Sequence, residues 1–174
     1  AVGDVLRQVG DGSVDVMSAG TVLVIDVGFF SVDWALLVNG DLRRTDTGTS
    51  LEAMSVLIEA AAGLVGTDCG GKPPIAAIER ALAEGRASLL YRGERVALAS
   101  YLQQAARQTG QVALEALRQD LRREHTEVDL ILLTGGGSAL FAPLVRDLFD
   151  PVPVHVPTDA VGANARGYFY YGGR

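Results

Sequence analysis

The sequence predicts an α/β domain on a mixed five-stranded sheet, with helices on both faces and a small inserted subdomain at residues 66–98. Three observations carry that expectation. The runs VLVIDV at 22–27 and LILL at 130–133 are apolar on nearly every position, as strands covered on both faces are. Asn39-Gly40, between two strand-like runs, is a hairpin signal because both turn positions need positive φ. Beyond this antiparallel start, helical periodicity alternates with strand-like runs, the pattern of crossover units.

The elements follow in chain order. Residues 1–9 suit a short helix and 10–20 a linker, before strands at 22–27, 32–38 and 42–46. Thr49 or Ser50 then caps a helix, with Glu52 completing a capping box on Thr49. Leu51, Met54, Leu57, Ile58, Ala61, Leu64 and Val65 form its apolar stripe. The CGGKPP stretch at 69–74 cannot be regular structure, and a shorter helix follows at 74–83. Runs at 88–91 and 95–98 flank RGE as a small hairpin. A long helix is expected at 101–123, with Leu102, Ala105, Ala106, Val112, Ala113, Ala116, Leu117 and Leu121 as core residues and Gly110 as a weak point. A strand at 130–133, a helix at 139–149, a strand at 152–156 and a closing helix at 163–171 complete the chain. Pro151 and Pro153 place that last strand near an edge.

Composition narrows the function. With 174 residues, 48% hydrophobic and 21% charged, the chain is globular and long enough for a proper core. A net charge of -6 argues against direct binding to nucleic acid or to an anionic membrane surface. Cys69 is the single cysteine, which excludes an internal disulfide and a cysteine-based zinc site and suits a cytoplasmic setting. No apolar run reaches the roughly 20 residues of a membrane span. The chain opens on Ala1 and reads as a piece of a longer protein. Its mean hydropathy of +0.22 fits a face that a partner domain covers.

The candidate site begins with Asp26, a carboxylate near the end of an oily strand. An unpaired buried charge costs several kcal/mol, so Asp26 is either paired or stands at an opening. If the runs at 22–27 and 130–133 are parallel neighbours, Asp26-Val27-Gly28 and Thr134-Gly135-Gly136-Gly137-Ser138 leave the sheet at one rim. Ligands of α/β sheets bind at that rim. Glycines admit close backbone approach, and amides at a helix start favour anionic oxygen. Plainer roles stand beside these. Asp26 can cap a turn, Asp33 can bond turn amides, and Thr134 and Ser138 can be helix-entry residues. Asp46 and Glu52 suit a turn and a cap, Lys72, Glu79 and Arg80 solvated charge, His125 a helix end, and Trp34 the core.

Asp26-x-Gly28-x-x-Ser31-x-Asp33 resembles the second phosphate motif of the actin-like ATPase superfamily, whose ribonuclease-H-like fold implies the sheet order 3-2-1-4-5. LLTGGGSAL at 132–140 resembles that superfamily's adenosine motif. NARGYFYYG at 164–172 resembles the closing helix of the plasmid-segregation ATPases of the ParM/StbA type, to which the chain as a whole is most similar. The resemblance implies that residues 1–174 are the C-terminal half of such an ATPase, with ATP or ADP and Mg²⁺ held between it and a missing N-terminal half. Asp26 is then the metal-facing, catalytic carboxylate. Gly28, Phe29, Phe30 and Ser31 lie at the β- and γ-phosphates; Gly135, Gly136, Gly137 and Ser138 lie beside the α-phosphate, ribose and adenine. Phe29 and Phe30 depart from the family pattern, where glycine or polar residues are common. The resemblance further implies a bacterial, cytoplasmic filament that partitions plasmids through a DNA-binding adaptor, the fragment alone being inactive. Alternatives are a non-catalytic protein-interaction scaffold and a sugar- or acetate-kinase-type phosphotransferase. A two-metal nuclease is opposed by the fourth strand, which ends in Thr134 and glycines instead of carboxylates.

Overall fold

The computed structural model describes residues 16, 18–123, 125–163 and 165–166, apart from the side chain of Arg44. The expected helix at 1–9, most of the linker at 10–20 and the latter part of the closing helix lie outside the described residues. Residues 16, 18 and 19 are helical, in contrast to the expected linker, and so are 163, 165 and 166.

The main sheet starts with β1 (Thr21–Val27), β2 (Val32–Val38) and β3 (Asp41–Ser50), and a separate two-stranded sheet holds β4 (Ser88–Tyr91) and β5 (Glu94–Ala97). With β6 (Leu130–Thr134) and β7 (Val154–His155) the main sheet runs in the order β3-β2-β1-β6-β7. This is the order read from the sequence. The first three strands are antiparallel, whereas β6 runs parallel to β1 and β7 parallel to β6. The helices are α1 (Met54–Cys69), α2 (Ile75–Ala83), α3 (Ala99–Arg123) and α4 (Ser138–Phe149).

Alternation along β1 divides the core. Leu23, Ile25 and Val27 face one side, where Leu57 and Ala61 of α1, Leu114 of α3 and Phe141 of α4 are buried in the same cluster. Val22 faces the other side with Leu130 and Leu132, joined by Val24, Leu37 and the helical Val16. Every residue of β6 is buried, which explains its unbroken apolar run. Trp34 is buried, and a Cβ at its cross-strand partner Gly48 would overlap the indole. The edge strand therefore holds glycine where the ring lies.

Two helix readings need correction. β3 extends to Ser50, and α1 starts only at Met54, so Thr49, Ser50 and Glu52 do not build a capping box. Ala53 stands at the N-cap without a side-chain bond; the carbonyls of Gly28 and Phe29 accept from Met54 N at 3.4 Å and Ser55 N at 2.8 Å. A capping box answers only to local sequence, whereas here a distant loop satisfies the helix's first amides. Leu51 lies outside the helix and is exposed. In α3, Val112 and Ala116 face solvent, while Thr109, Gly110 and Leu114 are buried. Gly110 is a contact point and not a flaw: a Cβ there would lie 3.0 Å from side-chain atoms of both Phe141 and Leu144. The period is right, but the packing against α4 turns the buried face toward the glycine.

The last strand shrinks from the expected 152–156 to Val154–His155. Its His155 is half-buried, with Nε2 enclosed and without a hydrogen-bond partner among the described residues. Burial lowers its pKa below the ordinary 6.5. The native state thus disfavours the imidazolium more than the unfolded state does. Stability is complete above the unfolded value and falls as the pH drops through 6.5 toward the lower native value. Urea denaturation midpoints should decline between neutral pH and pH 5.5 in the parent chain, and decline less in His155→Gln.

Candidate functional site

Parallel pairing of β1 with β6 sets Asp26 opposite Thr134, so both strands leave the sheet at one rim. Antiparallel pairing sets Asp26 opposite Asp33. The rim thus carries two carboxylates in cross-strand register. Thr134 is buried, and its Oγ1 donates to the Ile25 carbonyl at 3.4 Å, tying the two strand ends together.

The first loop is the tight turn between β1 and β2. Gly28 N donates to the Ser31 carbonyl at 2.9 Å, and Ser31 Oγ donates to Asp33 Oδ2 at 2.6 Å. Phe29 and Phe30 occupy the tip, their rings edge to face with centroids 4.8 Å apart. Phe30 is 74% exposed. Because the Gly28 and Phe29 carbonyls cap α1, the turn is fastened to the helix behind it.

The second loop is the bend between β6 and α4. Gly135 has φ of 87°, the left-handed region that favours glycine, and a Cβ there would overlap Asp26 Oδ1 and the Val27 carbonyl. Its N–H donates to the Ala160 carbonyl at 3.1 Å, and Gly137 N donates to the Val27 carbonyl at 3.0 Å. A Cβ at Gly137 would overlap Val27 and crowd Met54. Gly136 differs from both: it is exposed, it has open space where a side chain would go, and its N–H donates to no partner among the described residues. The three glycines expected to act alike therefore divide into two that lock the bend and one that faces outward. Ser138 is buried at the start of α4, its N–H on the Gly135 carbonyl at 3.2 Å.

The Ala160 brace has its own anchor. Asp159 accepts from Gly162 N at 2.9 Å and pairs with Arg166. The Gly162 amide, followed by Arg166, holds the Asp159 carboxyl below the ordinary aspartate value.

Between the two loops lies a cleft of about 340 Å³. Gly28 and Phe29 line it from one side and Gly136 and Gly137 from the other. Met54 and Ile58 of α1 supply its floor, and Glu79, Leu82 and Ala83 of α2 its far wall. Of the expected binding residues, four line the cleft. Asp26 and Gly135 lie against each other without lining it, Phe30 projects into solvent, and Ser31 and Ser138 are engaged in local structure. Glu79, expected as solvated charge although it falls where relatives hold adenosine, is half-buried in the cleft wall. Its spacing of three and four residues from Leu82 and Ala83 puts all three on one helical face, a signal visible in the sequence. Lys72 pairs with Glu59 at 3.2 Å, and Arg80 is exposed.

A family model of the archaeal MreB-like actin homologues, describing their C-terminal domain, matches residues 24–147. The chain belongs to that family. No curated protein matches the sequence. Among solved structures, the archaeal actin homologue Ta0583 superposes with a TM-score of 0.80 at 22% identity, over 99% of this chain and 54% of that one. Its ADP complex gives 0.78 at 22% identity, over 99% and 56%. A 15-stranded ParM filament from Clostridium botulinum gives 0.73 at 16% identity, over 94% and 50%. At these identities the likeness shows a shared fold, that of the archaeal actin homologue and of ParM. The chain spans about half the length of these solved relatives.

In this MreB-like domain the glycines should separate in mutagenesis. Gly135→Ala meets both strained backbone and occupied space and should lower stability by about 1–3 kcal/mol. Gly136→Ala meets neither and should stay within about 0.5 kcal/mol of the parent. Chemical denaturation of the two variants checks the difference.

Proposed function

We propose that this chain is the C-terminal, nucleotide-binding half of an actin-like, filament-forming ATPase, and that ATP or ADP binds between it and an N-terminal half. The observation that carries this reading is the convergence of the β1 and β6 loops on one cleft at one rim of the sheet. The ADP complex of Ta0583, a structural relative, supports it.

The cleft has the chemistry such a ligand needs. Met54, Ile58, Leu82 and Ala83 offer apolar surface to a purine ring. Glu79, an acceptor when ionised, suits ribose hydroxyls. Gly136 offers an uncommitted amide beside open space, and Phe29 and Phe30 offer turn amides with no backbone bond among the described residues. Charge-assisted bonds of that kind contribute roughly 1.5–3 kcal/mol each.

The described residues contain no group of three or more His, Cys, Asp or Glu that could hold a metal unaided. Mg²⁺ fits regardless, because it is commonly held by one or two carboxylates together with waters and substrate phosphates. Asp26 and Asp33 are in register to serve at that position. Asp26 and Asp33 would hold such an ion, which would supply positive charge against that developing on the phosphates. In the proposed reaction Asp26 orients the attacking water, and the loop amides hold the phosphates in line.

The ParM likeness extends the proposal to self-association and to plasmid partition in the cytoplasm. The charge of -6 suits a filament that meets DNA through an adaptor instead of directly.

In the full-length protein, MgATP at 100 times its dissociation constant should stabilise the fold by about 2.7 kcal/mol, read as a rise in melting temperature. Asp26→Asn should lower phosphate release about 100-fold or more. No shift at millimolar MgATP would overturn the nucleotide reading in favour of a protein-interaction scaffold.

A further inference from the structure

The loop that follows β7 reaches back to the second bend without lining the cleft. Its Ala160 carbonyl accepts from Gly135 N at 3.1 Å. Among the described residues, this bond and that of Gly137 N to Val27 are the two backbone bonds that tie the bend to other segments. Pro157 and Ala163 anchor the loop in the interior, whereas Thr158, Asp159 and Val161 between them are exposed.

One side-chain assembly spans the exposed stretch. Asp159 Oδ1 accepts from Gly162 N at 2.9 Å, and its Oδ2 pairs with Arg166. Arg166 Nη2 also donates to the Asp159 main-chain carbonyl, at 2.7 Å. The guanidinium thus grips both the side chain and the backbone of the residue directly before Ala160. Gly162 leaves room for this grip, since a Cβ there would overlap the Asp159 carboxylate and the guanidinium.

Stability is a poor account of the arrangement. An ion pair open to solvent contributes little to folding, because water screens it and both side chains lose freedom. Its geometric effect is larger. A planar fork that holds a carboxylate and a carbonyl at once fixes the peptide unit entering Ala160.

We infer that Asp159 and Arg166 are positioning residues for the nucleotide: they set the Ala160 carbonyl, which aims the Gly135 bend and with it the uncommitted Gly136 N–H beside the cleft. The inference rests on the nucleotide reading above. Gly136 N has no bond among the described residues, so its direction depends on its neighbours. Gly137 is held through Val27. Without the brace, Gly135 has a glycine's freedom to turn. Neither Asp159 nor Arg166 lines the cleft, so both act through the bend and not on the ligand. In the nucleotide reading the bend meets the α-phosphate and ribose, away from the bond that breaks. Loosening it therefore weakens binding and spares the chemical step.

The test uses the full-length protein, with ADP binding read by calorimetry and ATP turnover by phosphate release. Arg166→Ala and Asp159→Ala should each weaken ADP binding about tenfold, the worth of one amide bond to a charged oxygen. Their kcat should stay within about twofold of the parent. The double variant should lose no more than either single one, because the pair acts as a unit. Hydrogen exchange of the peptide 132–140, measured without nucleotide, should be faster in both variants and reads the brace independently of any ligand. Where melting curves show an alanine variant unfolded, Arg166→Lys is read in its place, with binding about threefold weaker or more, because the fork is lost and the charge kept. A parent that binds no ADP overturns the nucleotide reading itself. A parent that binds ADP overturns this inference alone if the variants match its affinity, lose as much in kcat as in affinity, add their losses in the double variant, or exchange at the parent's rate.

Discussion

The parallel register of β1 on β6 is the constraint on which the site depends. Side chains alternate with a period of two, so the pairing that places Leu23 and Ile25 in the helical core also places Asp26 beside Thr134. A slip of one residue would turn Ile25 and Leu133 toward different faces and separate the two loops. Burial on both sides of β6 resists such a slip, because every one of its residues is enclosed. The energetic cost of misregister is therefore carried by the core, far more than by the few polar contacts at the rim.

Upon that register the loops are held by backbone bonds and by missing side chains. Gly137 donates to Val27 of β1 and Gly135 to Ala160, fastening the second bend on two sides, while Gly28 donates to Ser31 and closes the first turn on itself. Gly135 and Gly137 are glycines because Asp26, Val27 and Met54 occupy the space a Cβ would need. The loops are thus held by the Gly28, Gly135, Gly137 and Ser138 amides, which leaves those of Phe29, Phe30 and Gly136 with no bond among the described residues.

Much of this was legible in the sequence for identifiable reasons. The strands themselves followed from two runs apolar on both faces and from Asn39-Gly40, which are strong local signals, while their order came from the family resemblance. The rim loops followed from the positions of Asp26 and of the three glycines relative to those runs. What the sequence hid was tertiary. Nothing near Met54 announces that Gly28 and Phe29 will cap its helix, and Thr49 with Glu52 mimics a local cap. Gly110 reads as a weak helix residue until Phe141 is seen against it. Glu79 reads as surface charge until α2 closes the cleft, and Asp46 as a turn residue until a bulge in β3 encloses one of its oxygens. In each case the partner is distant in the chain, and periodicity carries no information about it.

The fastening of the β1–β2 turn to α1 has a mechanical consequence. The two carbonyls that end the helix's unmet donors belong to the same residues that border the cleft. The turn cannot shift by more than a fraction of an ångström without either stretching both bonds or dragging α1 along. Since α1 packs on both α3 and α2, such a pull reaches the opposite wall of the cleft through side-chain packing, across the loop at 70–74 that joins α1 to α2. The floor of the cleft is thus tied to the turn at Gly28 and Phe29 by backbone bonds, and the far wall to the floor by packing.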